Sequence, residues 1–193
     1  MCGRKYALCS LLLVLLVPQF SMPSVLAQTK SGVATKSYIS ERSLFWEEDE
    51  SFPHRGDLPV NVMDALLRDK STAYARELRK EQPDADIHQF FRYTTVHLGP
   101  DNEVDYLVNG LFPLTGADCA WYWIVVVRDG RARVVLWTNG ASVEILTHRS
   151  NGHADRKTQW LAASGWGEEQ LYRFNGKRYL LRRKREITSK TEQ

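Results

Sequence analysis

The sequence contains few cysteines. Two of the three, Cys2 and Cys9, lie near the N-terminus, and the third is Cys119. If the N-terminal segment is removed as a signal peptide, Cys119 alone remains, which excludes an intramolecular disulfide. A lone cysteine in an oxidising compartment is a buried apolar residue, a bridge between chains or a reactive thiol. The aromatic residues that follow Cys119 favour burial.

The sequence also lacks an apolar run long enough to anchor it in a membrane. Leu11–Val17 is unbroken but short, whereas a spanning helix needs about 20 apolar residues. Arg4 and Lys5 precede this run, and Val25-Leu26-Ala27 resembles a signal-peptidase site. These features predict a signal peptide over residues 1–27 and a mature chain that begins at Gln28. The protein is then exported, periplasmic or secreted, without a stable membrane anchor after cleavage.

An excess of charge of one sign is missing as well. The sequence has 26 basic and 23 acidic residues, and removal of the signal peptide takes away two basic residues and no acidic one. The nearly neutral mature chain therefore does not favour nucleic acid as a partner. One basic concentration remains, Arg182–Arg185 with Lys177 and Arg178 before it. It is either a docking patch for anionic polymers or lipid headgroups, or a solvated terminal extension.

The mature chain has the length of one domain. Residues 28–43 are polar and predict a flexible leader, 44–185 a single globular domain, and 186–193 a polar C-terminal tail. Asp57 before Leu58-Pro59 is a helix start. Pro83 ends the segment, so we expect one long amphipathic helix that runs to about Gln82. Its apolar stripe contains Val62, Leu66, Ala73 and Leu78.

After this helix the apolar period changes to two, which is typical of strands. Asp-Gly and Asn-Gly pairs between the strands favour tight hairpins, and the spacing predicts an antiparallel meander of about seven or eight strands. Trp121–Val127 is apolar on both faces and is expected to form the central strand. The predicted fold class is α+β, with the helix packed on the meander. The expected strands lie at about 89–98, 103–109, 120–128, 131–138, 142–148, 156–163, 169–174 and 177–183.

A resemblance to a known group rests on two stretches. The segment Val96–Val108, with Gly99, acidic residues and Asn102 before an apolar strand, resembles the strand–loop–strand unit of FG-GAP-like exported proteins. The segment Leu171–Tyr179 is similar to the closing hairpin of many uncharacterised bacterial secreted proteins. The resemblance covers about residues 90–180. It implies that the first loop cradles calcium.

The loop departs from that calcium pattern. Calcium takes about six to eight oxygen ligands, and only Asp101, Asn102 and Asp105 supply side-chain oxygen in ligand positions. We therefore predict an ordinary hairpin loop, no bound metal and no cofactor. His148 and His153 with Asp155 form an incomplete ligand set, for which a solvated hairpin turn is the alternative that we favour.

Six aromatic residues lie in the predicted strands and the loop between two of them, and they are either core or a stacking platform for a sugar or peptide. Trp160 and Trp166 are expected to be exposed, because Ser164, Gly165 and Gly167 loosen the chain around them. With Arg182 and Arg183 they form the predicted ligand-binding set. The six aromatic residues are Trp121, Tyr122, Trp123, Trp137, Trp160 and Trp166.

No complete catalytic set is visible in the sequence. The leading interpretation is a non-enzymatic exported domain that binds an envelope or extracellular protein or polymer. The alternative is an envelope-associated hydrolase that uses Cys119 with His97 or His148. A cleft that joins Cys119 to a histidine would favour the hydrolase, whereas a shallow sheet with exposed tryptophan would favour binding.

Overall fold

The computed structural model describes residues 43–46, 50–100, 103–115 and 119–188. The predicted signal peptide, the leader up to residue 42 and residues 189–193 lie outside this range. The helices are α1 (Val60–Arg68) and α2 (Ala73–Glu81), with 3-10 turns at Lys70–Thr72 and Ile87–Phe90. The strands are β1 (Leu44–Trp46), β2 (His54–Arg55), β3 (Phe91–Val96), β4 (Asp105–Gly110), β5 (Ala120–Arg128), β6 (Arg131–Gly140), β7 (Ser142–Ser150), β8 (His153–Leu161), β9 (Trp166–Phe174) and β10 (Tyr179–Thr188).

The strands form two five-stranded antiparallel sheets. Sheet I has the order β2-β3-β4-β5-β6, and sheet II has the order β1-β7-β8-β9-β10. The chain passes from one sheet to the other at Gly140. A Cβ atom at this position would lie 2.9 Å from the carbonyl oxygen of Gln159, so glycine permits the close corner.

Strand β5 contributes to two apolar cores. Tyr122, Ile124 and Val126 pack between the two sheets, whereas Trp123 and Val125 pack against the helical side of sheet I. The two-sided burial predicted for this strand is therefore confirmed, but its predicted central position is not, because β4 lies in the middle of sheet I. The helices, sheet I and sheet II form three layers, and the outer face of sheet II has no layer over it among the described residues.

The predicted fold class is wrong. The structure is mostly antiparallel sheet with two short helices, and the expected single long helix does not form. The chain is extended at Asp69, whose carboxylate accepts a hydrogen bond from Ser71 N at 2.9 Å. Thr72 Oγ1 bonds to the Leu66 carbonyl in the same turn. These polar side chains compete for the backbone groups that a continuous helix would use. The first helix also begins at Val60 with Pro59 as its N-cap, not at Asp57.

The antiparallel sheet itself is confirmed, and each of the eight expected strands has a counterpart within a few residues. They do not form one meander, because the corner at Gly140 divides them between the two sheets. Strand β10 continues to Thr188, so residues 186–188, expected to begin a polar tail, lie in sheet II. Among the described residues, no helix is both long enough and apolar enough to cross a membrane.

Candidate functional site

Two tryptophans meet at the hairpin that joins β8 to β9. The rings of Trp160 and Trp166 lie 5.1 Å apart, centroid to centroid, at an interplanar angle of 78°. Trp166 is 41% exposed and Trp160 is partly exposed. The hairpin is closed by a hydrogen bond of 2.7 Å from Ala162 N to the Trp166 carbonyl. The two rings therefore present an edge-to-face pair to solvent.

Gly167 fixes the distance between the two strands beside this pair. A Cβ atom on Gly167 would lie 2.2 Å from the carbonyl oxygen of Trp160. Any larger residue would push β9 away from β8. The close approach sets Trp160 and Trp166 at stacking distance.

Polar residues continue the same face of sheet II. Glu168 lies directly opposite Trp160, and Lys184 lies directly opposite Gln170. Since residues at alternate positions of a strand share a face, Trp166, Glu168 and Gln170 point to one side. Cross-strand neighbours have Cβ atoms about 5 Å apart, so these side chains form one contiguous group. We call Trp160, Trp166, Glu168, Gln170 and Lys184 the aromatic shelf.

A chain of hydrogen bonds holds the polar half of the shelf. Lys184 Nζ lies 2.5 Å from Glu168 Oε2, and Gln170 donates to the other oxygen of Glu168. Tyr172 OH donates to Gln170 and lies 3.0 Å from Thr138 Oγ1 of sheet I. The side chains are therefore oriented before any ligand arrives, which lowers the entropic cost of binding.

The same contacts fix the charge of Glu168. Burial alone would raise the pKa of this carboxyl, but the hydrogen bonds from Gln170 and Lys184 and the charge of Lys184 outweigh burial and lower the pKa. Glu168 is therefore an ionised acceptor at neutral pH. Burial raises the pKa of Tyr172, which therefore remains a neutral donor.

The structure does not join the predicted arginines to the tryptophan pair. Arg183 lies opposite Leu171, on the other face of sheet II, and its Nη2 is 3.7 Å from Glu169 Oε1. Arg182 is the extra residue of a bulge in β10 and has no ion-pair partner among the described residues. The predicted set of four therefore divides between two faces.

The structure also keeps Cys119 away from the two candidate histidines. Cys119 precedes the first residue of β5 and is partly exposed, with its Sγ 3.6 Å from Asn139 Nδ2. It is thus not the enclosed core residue that its aromatic neighbours favoured. His97 bonds to the Glu103 carbonyl, at the end of sheet I where Arg128 closes β5. At about 3.3 Å per residue, β5 separates Cys119 from that end by more than 25 Å.

His148 also lies at the end of the fold that is far from Cys119. Its Nδ1 lies 2.7 Å from Asp155 Oδ2, which Arg173 also contacts at 3.3 Å. His153 instead stacks on Phe174, with ring centroids 4.0 Å apart. In the part of the chain that the structure describes, no three metal-ligating side chains come together.

The candidate calcium loop is only partly described. Asp101 and Asn102 lie outside the described residues. Asp105 is fully buried, accepts from Leu98 N, and binds Arg128 Nη1 at 2.6 Å. Its carboxylate is therefore used inside the fold.

The remaining aromatic candidates belong to sheet I. Tyr122 and Trp123 are fully buried core residues, whereas Trp121 and Trp137 pack edge to face on the helical side. The expected ligand-binding set did not include Glu168, Gln170 and Lys184. The alternation of Glu168, Gln170 and Tyr172 was a signal that pointed to a polar face.

Comparison with protein-family models, with curated proteins and with solved structures finds no match for this chain. The resemblance to FG-GAP-like exported proteins therefore stays a prediction.

Proposed function

We propose that the protein is an exported, non-enzymatic binding module that holds a polysaccharide of the cell envelope or extracellular space on the aromatic shelf. The observation that carries the proposal is the placement of the Trp160–Trp166 pair beside the Glu168–Lys184 ion pair on one face. Export is proposed from the sequence of residues 1–27.

The chemistry of the shelf favours a sugar polymer over a protein ligand. A pyranose ring has an apolar C–H face that packs on an indole ring, and hydroxyl groups at its rim that need donors and acceptors. Glu168 supplies an ionised acceptor, and Lys184 and Gln170 supply donors. Because β10 is exposed along most of its length, the shelf leaves room for an extended chain.

The charge state of Glu168 favours binding over hydrolysis. Glu186 lies directly opposite Glu168 in β10, so two carboxylates share this part of the sheet. Glycoside hydrolysis by two carboxylates needs one of them protonated, with a raised pKa, as the acid. The contacts of Glu168 lower its pKa, and Glu186 is exposed. The pair therefore suits recognition of hydroxyl groups.

An array of immobilised oligosaccharides tests the proposal. We expect the mature protein to bind a subset of the array, and Trp166→Ala to lose that signal. Trp46→Ala is a matched control, because Trp46 is 46% exposed in the same sheet but faces the opposite side. Absence of any signal for the native protein, or equal loss in both variants, would contradict the proposal.

A further inference from the structure

A cleft separates the edge strands of the two sheets. It has a volume of about 290 Å³ and lies between β6 and the start of β10, next to the 3-10 turn at Lys70–Thr72. Its wall includes Leu136, Trp137, Tyr172, Tyr179 and Leu181. This cleft is distinct from the aromatic shelf, which lies nearer the other end of β10.

Arg156 lies directly behind this wall. It is opposite Tyr172 in the neighbouring strand, and its guanidinium carbon lies 5.3 Å from the centroid of the Tyr179 ring. Its side chain is fully buried. A fully buried arginine is rare unless its charge is paired.

One side of the guanidinium is hydrogen-bonded, and the other side is buried without a hydrogen-bond partner among the described residues. Nη1 donates to the Asp155 carbonyl at 2.7 Å. The other two nitrogens, Nε and Nη2, are buried and have no hydrogen-bond partner among the described residues. These two N–H groups point the same way and form the fork that receives a carboxylate or phosphate with two parallel hydrogen bonds.

The nearest carboxylates, Asp105 and Asp155, favour the charged form of Arg156, but neither makes a hydrogen bond to the fork. Asp105 is held by Arg128, and Asp155 is held by His148 and Arg173. Burial raises the pKa of Tyr179 to about 12, so its hydroxyl is neutral. An unpaired buried charge is costly, and an anion that reached the fork would remove that cost.

We propose that the cleft between β6 and β10 binds a small ligand with a carboxylate or phosphate group, which the Nε–Nη2 fork of Arg156 receives. Tyr179 lines the cleft and packs on Arg156, so the ligand, entering past Leu181, reaches the fork only if the Tyr179 ring turns aside and gives up its 2.9 Å hydrogen bond to the Ala154 carbonyl. Arg178 at the cleft mouth, exposed and without an ion-pair partner in the described chain, attracts the anion. This site does not depend on polysaccharide binding.

Thermal unfolding of the native protein with inorganic phosphate, with acetate and with chloride at equal ionic strength tests the site. We expect phosphate or acetate, but not chloride, to raise the melting temperature by about 5 °C near saturation. A response to one of the two anions identifies the class of ligand group. Identical melting curves in all three salts would overturn the proposal and leave buried water as the partner of the fork.

Arg156→Met keeps the length of the side chain and removes the fork. We expect this variant to lose the anion response while its melting temperature in chloride is maintained or raised, because an unpartnered charge leaves the core. Arg131→Met, at an exposed arginine at the start of β6 that does not line the cleft, is expected to respond like the native protein. An unchanged response in Arg156→Met would refute the assignment.

If Arg156→Met does not fold, a second variant tests whether anions bind in the cleft. Leu181→Trp fills the cleft mouth from a position that is 49% exposed, so the fold should tolerate it. With Arg156 intact, this variant should also lose the anion response. Retention of the full response in folded Leu181→Trp would show that anions bind elsewhere.

Discussion

Replacing Lys184 with methionine removes the charged donor of Glu168 and keeps a side chain of similar length. In the native protein Lys184 Nζ lies 2.5 Å from the carboxylate of Glu168, a residue that is only 6% exposed. Without Lys184, the burial that raises the pKa of Glu168 is opposed by Gln170 alone. We therefore expect the ionised form of Glu168 to be less favoured in the folded variant, and the free energy of unfolding of Lys184→Met to be lower than that of the native protein.

The size of this loss follows from the exposure of the two partners. A hydrogen bond to a charged group contributes about 1.5–3 kcal/mol. The Lys184 side chain is 59% exposed, so solvent screens the pair and the contribution falls to about 1 kcal/mol. This corresponds to a decrease in melting temperature of about 3 °C for a domain of this size.

The loss should depend on pH with a definite sign. The contacts lower the folded-state pKa of Glu168 below its unfolded value. The resulting stabilisation is present above the unfolded pKa and is lost as the pH falls through the folded pKa. The difference between the native protein and Lys184→Met should therefore be full at neutral pH and disappear below the ordinary glutamate range.

Urea unfolding at a series of pH values measures this difference. Lys177→Met is the control, because Lys177 lies in the exposed turn before β10 and has no ion-pair partner within the described residues. We expect it to leave the free energy of unfolding unchanged. If Lys184→Met were as destabilising in acid as at neutral pH, the loss would come from packing and not from the ion pair between Lys184 and Glu168.

Three further predictions concern the hairpin, the thiol and the N-terminus. Gly167→Ala should cost about 1–3 kcal/mol of unfolding free energy, because its Cβ atom would collide with the Trp160 carbonyl; calorimetry measures this, and an unchanged melting temperature would contradict it. Cys119 should react with a thiol reagent in the native state, and Cys119→Ser should change stability by less than about 0.5 kcal/mol, because its side chain is partly exposed; a thiol that reacts only after unfolding would show that it is enclosed. N-terminal sequencing after expression in a secreting host should find Gln28 first, whereas a full-length chain retained in the membrane would refute cleavage after Ala27.

The strands could be predicted from the sequence because their signals are local. Alternating apolar residues mark the strands, and Asp-Gly or Asn-Gly turns mark several of the hairpins, as at Asp129-Gly130 and Asn175-Gly176. The division into two sheets depends on the corner at Gly140, where β6 ends near Gln159. The contact between Gly140 and Gln159 joins residues that are distant in sequence, so no local pattern indicates it.

The helix was mispredicted because an apolar stripe does not reveal a break within it. Val62, Leu66 and Ala73 keep helical spacing across the interruption. The polar run Asp69–Thr72 was the available signal, since Asp, Ser and Thr side chains bond to nearby backbone groups and favour turns.

The sequence pointed to the two tryptophans of the shelf but not to Lys184, and the bulge in β10 explains why. Trp160 and Trp166 were identified from the small residues around them. If the register that starts at Tyr179↔Phe174 continued without a bulge, Arg182 would pair with Leu171 and Arg183 would lie opposite Gln170. The bulge shifts the register by one and puts Lys184 there. A one-residue shift reverses which side chains face the shelf, so the sequence alone did not indicate that Lys184 lies beside Gln170.

The most direct test of the proposed function is a calorimetric titration of the oligosaccharide that gives the strongest array signal. The titration compares the native protein, Trp166→Ala and Trp46→Ala. We predict that Trp166→Ala weakens binding at least tenfold, about 1.4 kcal/mol, because it removes one ring of the stacking pair. Trp46→Ala should bind as the native protein does. Equal affinities for all three proteins would contradict the assignment of the aromatic shelf as the binding site.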